Sequence, residues 1–176
     1  MSTSATAFLA IVWFVVQWFL YYQAGAIKSP QQEVKQEIIA VQKKKAAELE
    51  KTLAKLNDSI LVHEWANKPE VVSAGETVYL TNCTACHGAD LSATMQAGAV
   101  KVPLPGLPLN DHQWKFGGKP MDLFKLINAG SPPESTGHNG AKMQAWGQTM
   151  SPKQIAEVTA YLISKLPEDF KDIPAK

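Results

Sequence analysis

Two thiols and an imidazole stand together at Cys83-Thr84-Ala85-Cys86-His87, and these are the only cysteines in the 176 residues. The spacing C-x-x-C-H is the attachment pattern of c-type haem. Two thiols about one helical turn apart can each form a thioether to one of the porphyrin's two vinyl groups. The histidine that follows then lies below the ring and offers a nitrogen to iron. A thioredoxin-like redox pair would need a βαβ setting, which the surrounding sequence lacks. A zinc site would need two more ligands, and four-thiolate and iron–sulfur sites are excluded by the cysteine count. One covalently held haem c is therefore the expected cofactor, bound by Cys83, Cys86 and His87.

A six-coordinate iron needs a second axial ligand, and Met95, Met121, Met143, Met150, His63, His112 and His138 are the candidates. A methionine in an amphipathic helix is usually core filler, which suits Met121. Met95 lies in a loop near the attachment site. Met143 lies in a long loop before the last helix, between Gly140 and Trp146-Gly147, where it can reach the other ring face. Met143 is preferred, and Met150 is its nearest rival, although Met150 abuts a capping serine and reads as a staple residue. His138, in Gly-His-Asn-Gly, reads as a turn histidine.

The haem carboxylates also need donors, since burying them unpaired costs several kcal/mol, on the order of the desolvation of an isolated polar group. All 17 basic side chains are lysine, so no arginine fork is available. The loop from Asn110 to Lys119 offers Gln113, Trp114, Lys115 and the backbone N–H groups of Gly117-Gly118. Trp114 is the expected donor to one propionate through its indole N–H; the alternative is simple packing on the ring edge.

The elements that must position these groups are helices and long loops. Ser73-Ala74-Gly75-Glu76 fits a capping box and predicts a short helix running into Cys83. Gly88 to Asn110 is rich in glycine, proline and small residues and reads as loop. Pro120 and Gly130 bracket a second helix, with Leu123, Phe124 and Ile127 facing inward. Ser131 to Gly147 is loop again. Ser151-Pro152-Lys153-Gln154 is a capping box that launches a last helix with Ile155, Val158, Leu162 and Leu166 on one face. No run alternates like a strand, so the fold class is all-α. Loops this long in a hundred-residue domain suggest that they wrap a ligand, whose apolar faces complete a small core.

Upstream, Ala7 to Ala26 is an uncharged run of twenty residues with Gln17 in its middle and Gln23 near its end as the strongly polar side chains. At about 1.5 Å per residue it spans roughly 30 Å, the hydrocarbon thickness of a bilayer. Trp18, Phe19, Tyr21 and Tyr22 gather toward one end as an interfacial belt would. A cleaved signal ending at Ala24-Gly25-Ala26 is the rival; the length of the run and the absence of a preceding lysine favour a retained anchor. From Gln31 to Asn57 the chain is rich in lysine and glutamate, with Val34, Ile38, Val41, Leu49, Leu53, Leu56 and Ile60 along a narrow stripe. This predicts an amphipathic linker helix that packs on a partner subunit; the alternative is a solvated stalk. The expected organisation is an anchor over 1–28, a helical linker over 29–68 and a haem domain over 69–176. A net charge of +1 without arginine is a poor basis for nucleic-acid binding.

The C-terminal hundred residues resemble class I monohaem cytochrome c domains, and more narrowly the haem domain of the cytochrome c subunit of cbb3-type haem–copper oxidases. The resemblance lies in Ala74-Gly75-Glu76-Thr77-Val78-Tyr79, in Leu109-Asn110-Asp111-His112-Gln113-Trp114 with Gly117-Gly118, in Met143-Gln144-Ala145-Trp146-Gly147, and in Ile155 to Leu162. It implies that Met143 binds iron and that Gly75 and Tyr79 pack against Tyr161 where the first and last helices of the domain cross. The chain departs from that family in having one attachment motif where two are usual, Gln144 in place of a proline, and Leu107-Pro108 in place of proline–asparagine. The carbonyl that accepts from the proximal histidine is accordingly Pro105, Leu107 or Pro108.

The implied function is single-electron transfer by a membrane-anchored subunit of a terminal oxidase or similar respiratory complex. No acid–base or nucleophile constellation suggests catalysis by this chain alone. The alternatives are a haem subunit of a dehydrogenase or photosynthetic complex and, from another class, a five-coordinate haem sensor or peroxidase-like enzyme. The implied partners are membrane-embedded oxidoreductase subunits, met through the anchor and linker, and a redox protein at the haem edge. Lys28, Lys35 and Lys43 to Lys45 follow the anchor, and by the positive-inside rule they would place the haem domain in the cytoplasm. Covalent haem attachment outside the bacterial inner membrane, as the resemblance implies, outweighs that charge count. The haem domain is expected on the periplasmic side.

Overall fold

The structure is a computed structural model that describes residues 3–23, 29–133, 135 and 140–175. His138, Lys28 and the Ala24-Gly25-Ala26 stretch lie outside the described residues. The chain divides into two compact units, residues 1–46 and 47–176.

The first unit contains helix α1 (Thr3–Gln23) and most of helix α2 (Pro30–Leu53). Among the described residues α1 is the one helix long and apolar enough to cross a membrane, with a mean hydropathy of 1.4 over Thr6–Gln23. Its side chains from Ala7 onward are all exposed within the protein, as a lipid-facing helix requires. Helix α2 opens on a capping box that the sequence reading missed. The Ser29 N–H donates to Gln32 Oε1 at 2.9 Å, and the Gln32 N–H donates to Ser29 Oγ at 3.2 Å. Val34, Ile38 and Val41 of the apolar stripe are exposed.

In the second unit the end of the stripe turns inward. Leu56 is buried, and Leu61, in a π-helical turn (Ile60–Trp65), is fully so. Helix α3 (Pro69–Asn82) starts four residues before the expected Ser73, because Pro69 occupies the first helical turn behind an extended Lys68. Helix α5 (Pro120–Ala129) buries Pro120, Leu123, Phe124 and Ile127, and Gly130 ends it at a φ of 78°. Helix α6 (Pro152–Lys165) has the expected capping box from Ser151 to Gln154 and is buried nearly all round from Ile155 to Ile163.

Helices α3 and α6 cross where Gly75 meets α6: a Cβ on Gly75 would lie 2.1 Å from Glu157 O and 2.8 Å from Tyr161 Cβ. Beside that crossing the rings of Tyr79 and Tyr161 stand 5.4 Å apart. The packing implied for Gly75, Tyr79 and Tyr161 is therefore present.

One element corrects the sequence reading. Within the stretch read as loop, β1 (Thr94–Ala97) and β2 (Val100–Pro103) form an antiparallel hairpin. Met95 pairs with Val102 and Ala97 with Val100, and Gly98 supplies the positive φ of 63° in the connection. Both strands are short and largely exposed, so little burial contrast marked them in the sequence. The fold remains mostly helical.

Candidate haem centre

Helix α3 delivers the attachment motif. Cys83 caps it, its N–H donating to Tyr79 O at 2.8 Å, and the single turn α4 (Thr84–His87) follows at once. The His87 N–H donates to Cys83 O at 2.9 Å, which keeps the two thiols and the imidazole on consecutive turns. Gly88 then reverses the chain at a φ of 75°. The buried Tyr79 hydroxyl donates to Gly88 O at 2.7 Å and locks that reversal to α3. Burial pushes the Tyr79 phenol far above its ordinary range, so it remains a donor.

Both cysteines are free. Burial, with a smaller contribution from Cys86, pushes the Cys83 thiol up to about 11. It is therefore an uncharged thiol in apolar surroundings. Burial also lowers the pKa of His87, opposed by its hydrogen bond to Leu107, which favours the neutral ring that a metal needs.

Of the three carbonyls left open by the sequence, Leu107 is the acceptor: its oxygen lies 2.8 Å from His87 Nδ1. A proton on Nδ1 leaves Nε2 with its lone pair toward the cavity, the arrangement of an oriented axial ligand. The loop that carries Leu107 is held tightly against the motif. The Gly106 N–H donates to Cys86 O at 3.0 Å, and a Cβ on Gly106 would lie 2.9 Å from His87 Cε1.

Cys83, Cys86 and His87 line a largely apolar cavity of about 390 Å³. Its wall also takes Leu123 and Ile127 from α5, Val158 and Leu162 from α6, and Met143 and Trp114 from the loops. Two thiols, an imidazole with a free Nε2 and an apolar enclosure fit a covalently attached haem, and the chain carries a single haem c. Bound there, the group supplies an iron that gains and loses one electron.

The candidates for the second axial ligand lie in different places. Met143 is on the cavity wall, and its loop is pinned to the residue after Gly130. The Met143 N–H donates to Ser131 Oγ and the Ser131 N–H donates to Met143 O, both at 3.0 Å. Met150 is buried in the hydrophobic core and does not line the cavity. Met121 packs against the core, while Met95 is half exposed on the hairpin. His63 Nε2 is bonded to Ile173 O at 2.8 Å, and His112 Nδ1 lies 2.6 Å from Asp169 Oδ1.

Trp114 lines the cavity, and its indole N–H meets a group that the sequence reading did not consider. It donates to Asp169 Oδ2 at 2.9 Å. An indole has one N–H, and here it is engaged by the side chain of Asp169, which is 7% exposed. Sequence reasoning missed Asp169 altogether, because it lies 55 residues away along the chain.

Residues 70–162 match the family model described as "Cytochrome C oxidase, cbb3-type, subunit III". The chain is 30% identical over 137 residues to the cbb3-type cytochrome c oxidase subunit FixP of Sinorhizobium medicae, covering 77% of this chain and 44% of that protein. It is 28% identical over 174 residues to FixP of Azorhizobium caulinodans, covering 90% of this chain and 54% of that one. The match to subunit CcoP of Azospirillum sp. is 30% over 91 residues, 52% of this chain and 27% of that protein. The chain thus spans about half the length, or less, of these curated relatives. No solved structure matches it significantly. With the family model matching more than half its residues around a CxxCH-bearing cavity, the chain belongs to the cbb3-type cytochrome c oxidase subunit III family as a membrane-anchored c-type cytochrome.

Proposed function

We propose that the protein passes single electrons through its haem c as a non-catalytic subunit of a cbb3-type terminal oxidase, with His87 and Met143 as the axial ligands. The observation that carries this reading is the pairing of His87, oriented through Leu107 O, with Met143 on the wall of one apolar cavity. Histidine–methionine ligation in a buried setting favours a relatively high potential. His87 needs no acid–base partner for this work; its ring is fixed by a main-chain carbonyl and its Nε2 stays committed to one face. The apolar residues of α5 and α6 exclude water, so that little reorganises when the charge changes. The fourteen residues of α6 and the crossing at Gly75 hold the motif against the rest of the core.

The partners follow from the same reading. Helix α1 is the anchor, and the exposed Val34, Ile38 and Val41 of α2 are a stripe for a neighbouring subunit. The haem domain lies on the periplasmic side of the inner membrane, where the attachment chemistry takes place. Gentle solubilisation should recover the chain together with a haem–copper catalytic subunit; recovery with a dehydrogenase instead would overturn the oxidase assignment. Protease added to intact spheroplasts should remove the haem domain, and cutting only in inside-out vesicles would refute the orientation.

A further inference from the structure

Asp169 sits in the 3-10 turn Pro167–Phe170, just after α6, with its side chain only 7% exposed. Its two oxygens are both engaged by groups distant in sequence. Oδ2 accepts from the Trp114 indole N–H at 2.9 Å, and Oδ1 lies 2.6 Å from His112 Nδ1. The next residue, Phe170, is fully buried and places its ring 5.8 Å from that of Trp114. Trp114 lines the haem cavity. Asp169 does not, and a carboxylate this buried is costly unless its partners compensate it.

Resting on the haem-c reading above, we propose that Asp169 is a positioning residue of the haem centre. Held between Trp114 and His112, its carboxylate fixes the indole on the cavity wall and sets a negative charge behind it that favours the ferric state of the iron. The two roles are carried by one group but are chemically separable. The hydrogen bonds fix the ring whether or not the acceptor is charged. The electrostatic bias needs the charge itself, which acts through an interior that screens it far less than water does. His112 sets how strongly the charge is felt. It is 60% exposed, at a positive φ of 60° that suits glycine better than histidine, and its imidazole reaches back to the carboxylate.

Asp169→Asn separates the roles. The carboxamide oxygen still accepts from the indole, and the carboxamide N–H can donate to His112 Nδ1 in the tautomer where that nitrogen is bare. The clamp survives and the charge is lost. His112→Gly is tolerated by the backbone and removes one partner of the carboxylate from an exposed position.

The test measures the midpoint potential of both variants in the full-length, haem-loaded protein at one neutral pH. Asp169→Asn should raise the potential by up to about 59 mV, a tenfold shift of the one-electron equilibrium, with the visible spectrum unchanged. His112→Gly should lower it, since the charge is then less compensated. Simple loosening of the wall would move both variants in the same direction, and that outcome would overturn the proposal. So would a parental potential in Asp169→Asn. Should Asp169→Asn fail to assemble, the His112→Gly potential decides alone, and a rise or no change refutes the role. Failure of the haem-c reading shows separately, as full-length protein without acid-stable haem.

Discussion

Gly106→Ala tests how the proximal histidine is held. The methyl group would lie 2.5 Å from Cys86 O and 2.9 Å from both Cys86 C and His87 Cε1. Ordinary van der Waals contact begins near 3.4 Å, so the loop must retreat by about 0.9 Å. Gly106 has no positive φ, so the effect is steric and not one of backbone strain. A retreat of that size stretches two hydrogen bonds near or past their limit: Gly106 N–H to Cys86 O, now 3.0 Å, and His87 Nδ1 to Leu107 O, now 2.8 Å. Each bond is worth about 1 kcal/mol net. Overpacking adds about 1–3 kcal/mol. The stiffer unfolded chain returns about 0.4–1 kcal/mol. The expected loss is about 2–5 kcal/mol, or roughly 10 °C or more in Tm for a unit of this size. With its Nδ1–H released, the imidazole becomes a weaker donor to iron, and the potential should rise. Guanidinium unfolding followed at the Soret band, with a redox titration, reads both effects. A variant with parental stability and potential would refute the idea that this loop orients His87.

Gly75→Ala places a methyl 2.1 Å from Glu157 O and should cost about 3 kcal/mol or more by forcing α3 off α6, measured by denaturant unfolding. Met143→Ala should abolish the weak sulfur-to-iron band of the ferric spectrum and lower the potential, whereas Met150→Leu, in the core, should leave both unchanged. The opposite result would make Met150 the ligand. Ser151→Ala removes the acceptor of the Gln154 N–H and should lower stability by about 1 kcal/mol, seen as a shifted denaturation midpoint with an unchanged haem spectrum.

What the sequence made legible was whatever local chemistry encodes. Helices α5 and α6 announced themselves because a proline at the first turn and a cap or glycine at an end coincide with a periodic apolar face. The motif itself needed no fold. The start of α3 was misplaced because Ser73-Ala74-Gly75-Glu76 imitates a capping box, while Pro69 supplied the stronger signal four residues earlier. The box from Ser29 to Gln32 was overlooked, although it repeats the Ser-Pro-x-Gln pattern correctly read at Ser151. The hairpin escaped because strands of four residues, exposed on most positions, leave little pattern to detect. Contacts made by long chain closures were out of reach. Leu107 could not be told from Pro105 or Pro108, twenty residues from His87, until the loop was seen folded back on Cys86. Trp114 was expected at the cavity, where it lies, but its bond to Asp169 was out of reach because nothing local links the two.

Two sets of contacts act on the centre, one through the position and strength of the ligands and one through charge. The groups proposed as axial ligands are aligned by bonds to uncharged groups: His87 Nδ1 by Leu107 O, and Met143 by its N–H on Ser131 Oγ and its carbonyl accepting from the Ser131 N–H. Such groups carry no titratable charge, so they hold position without responding to the charge on iron, as a one-electron carrier requires. Asp169 acts from behind the wall, through its bonds to Trp114 and His112. A substitution in the first set should disturb spectrum and stability together with the potential, as Gly106→Ala is expected to do. One in the second set should shift the potential alone.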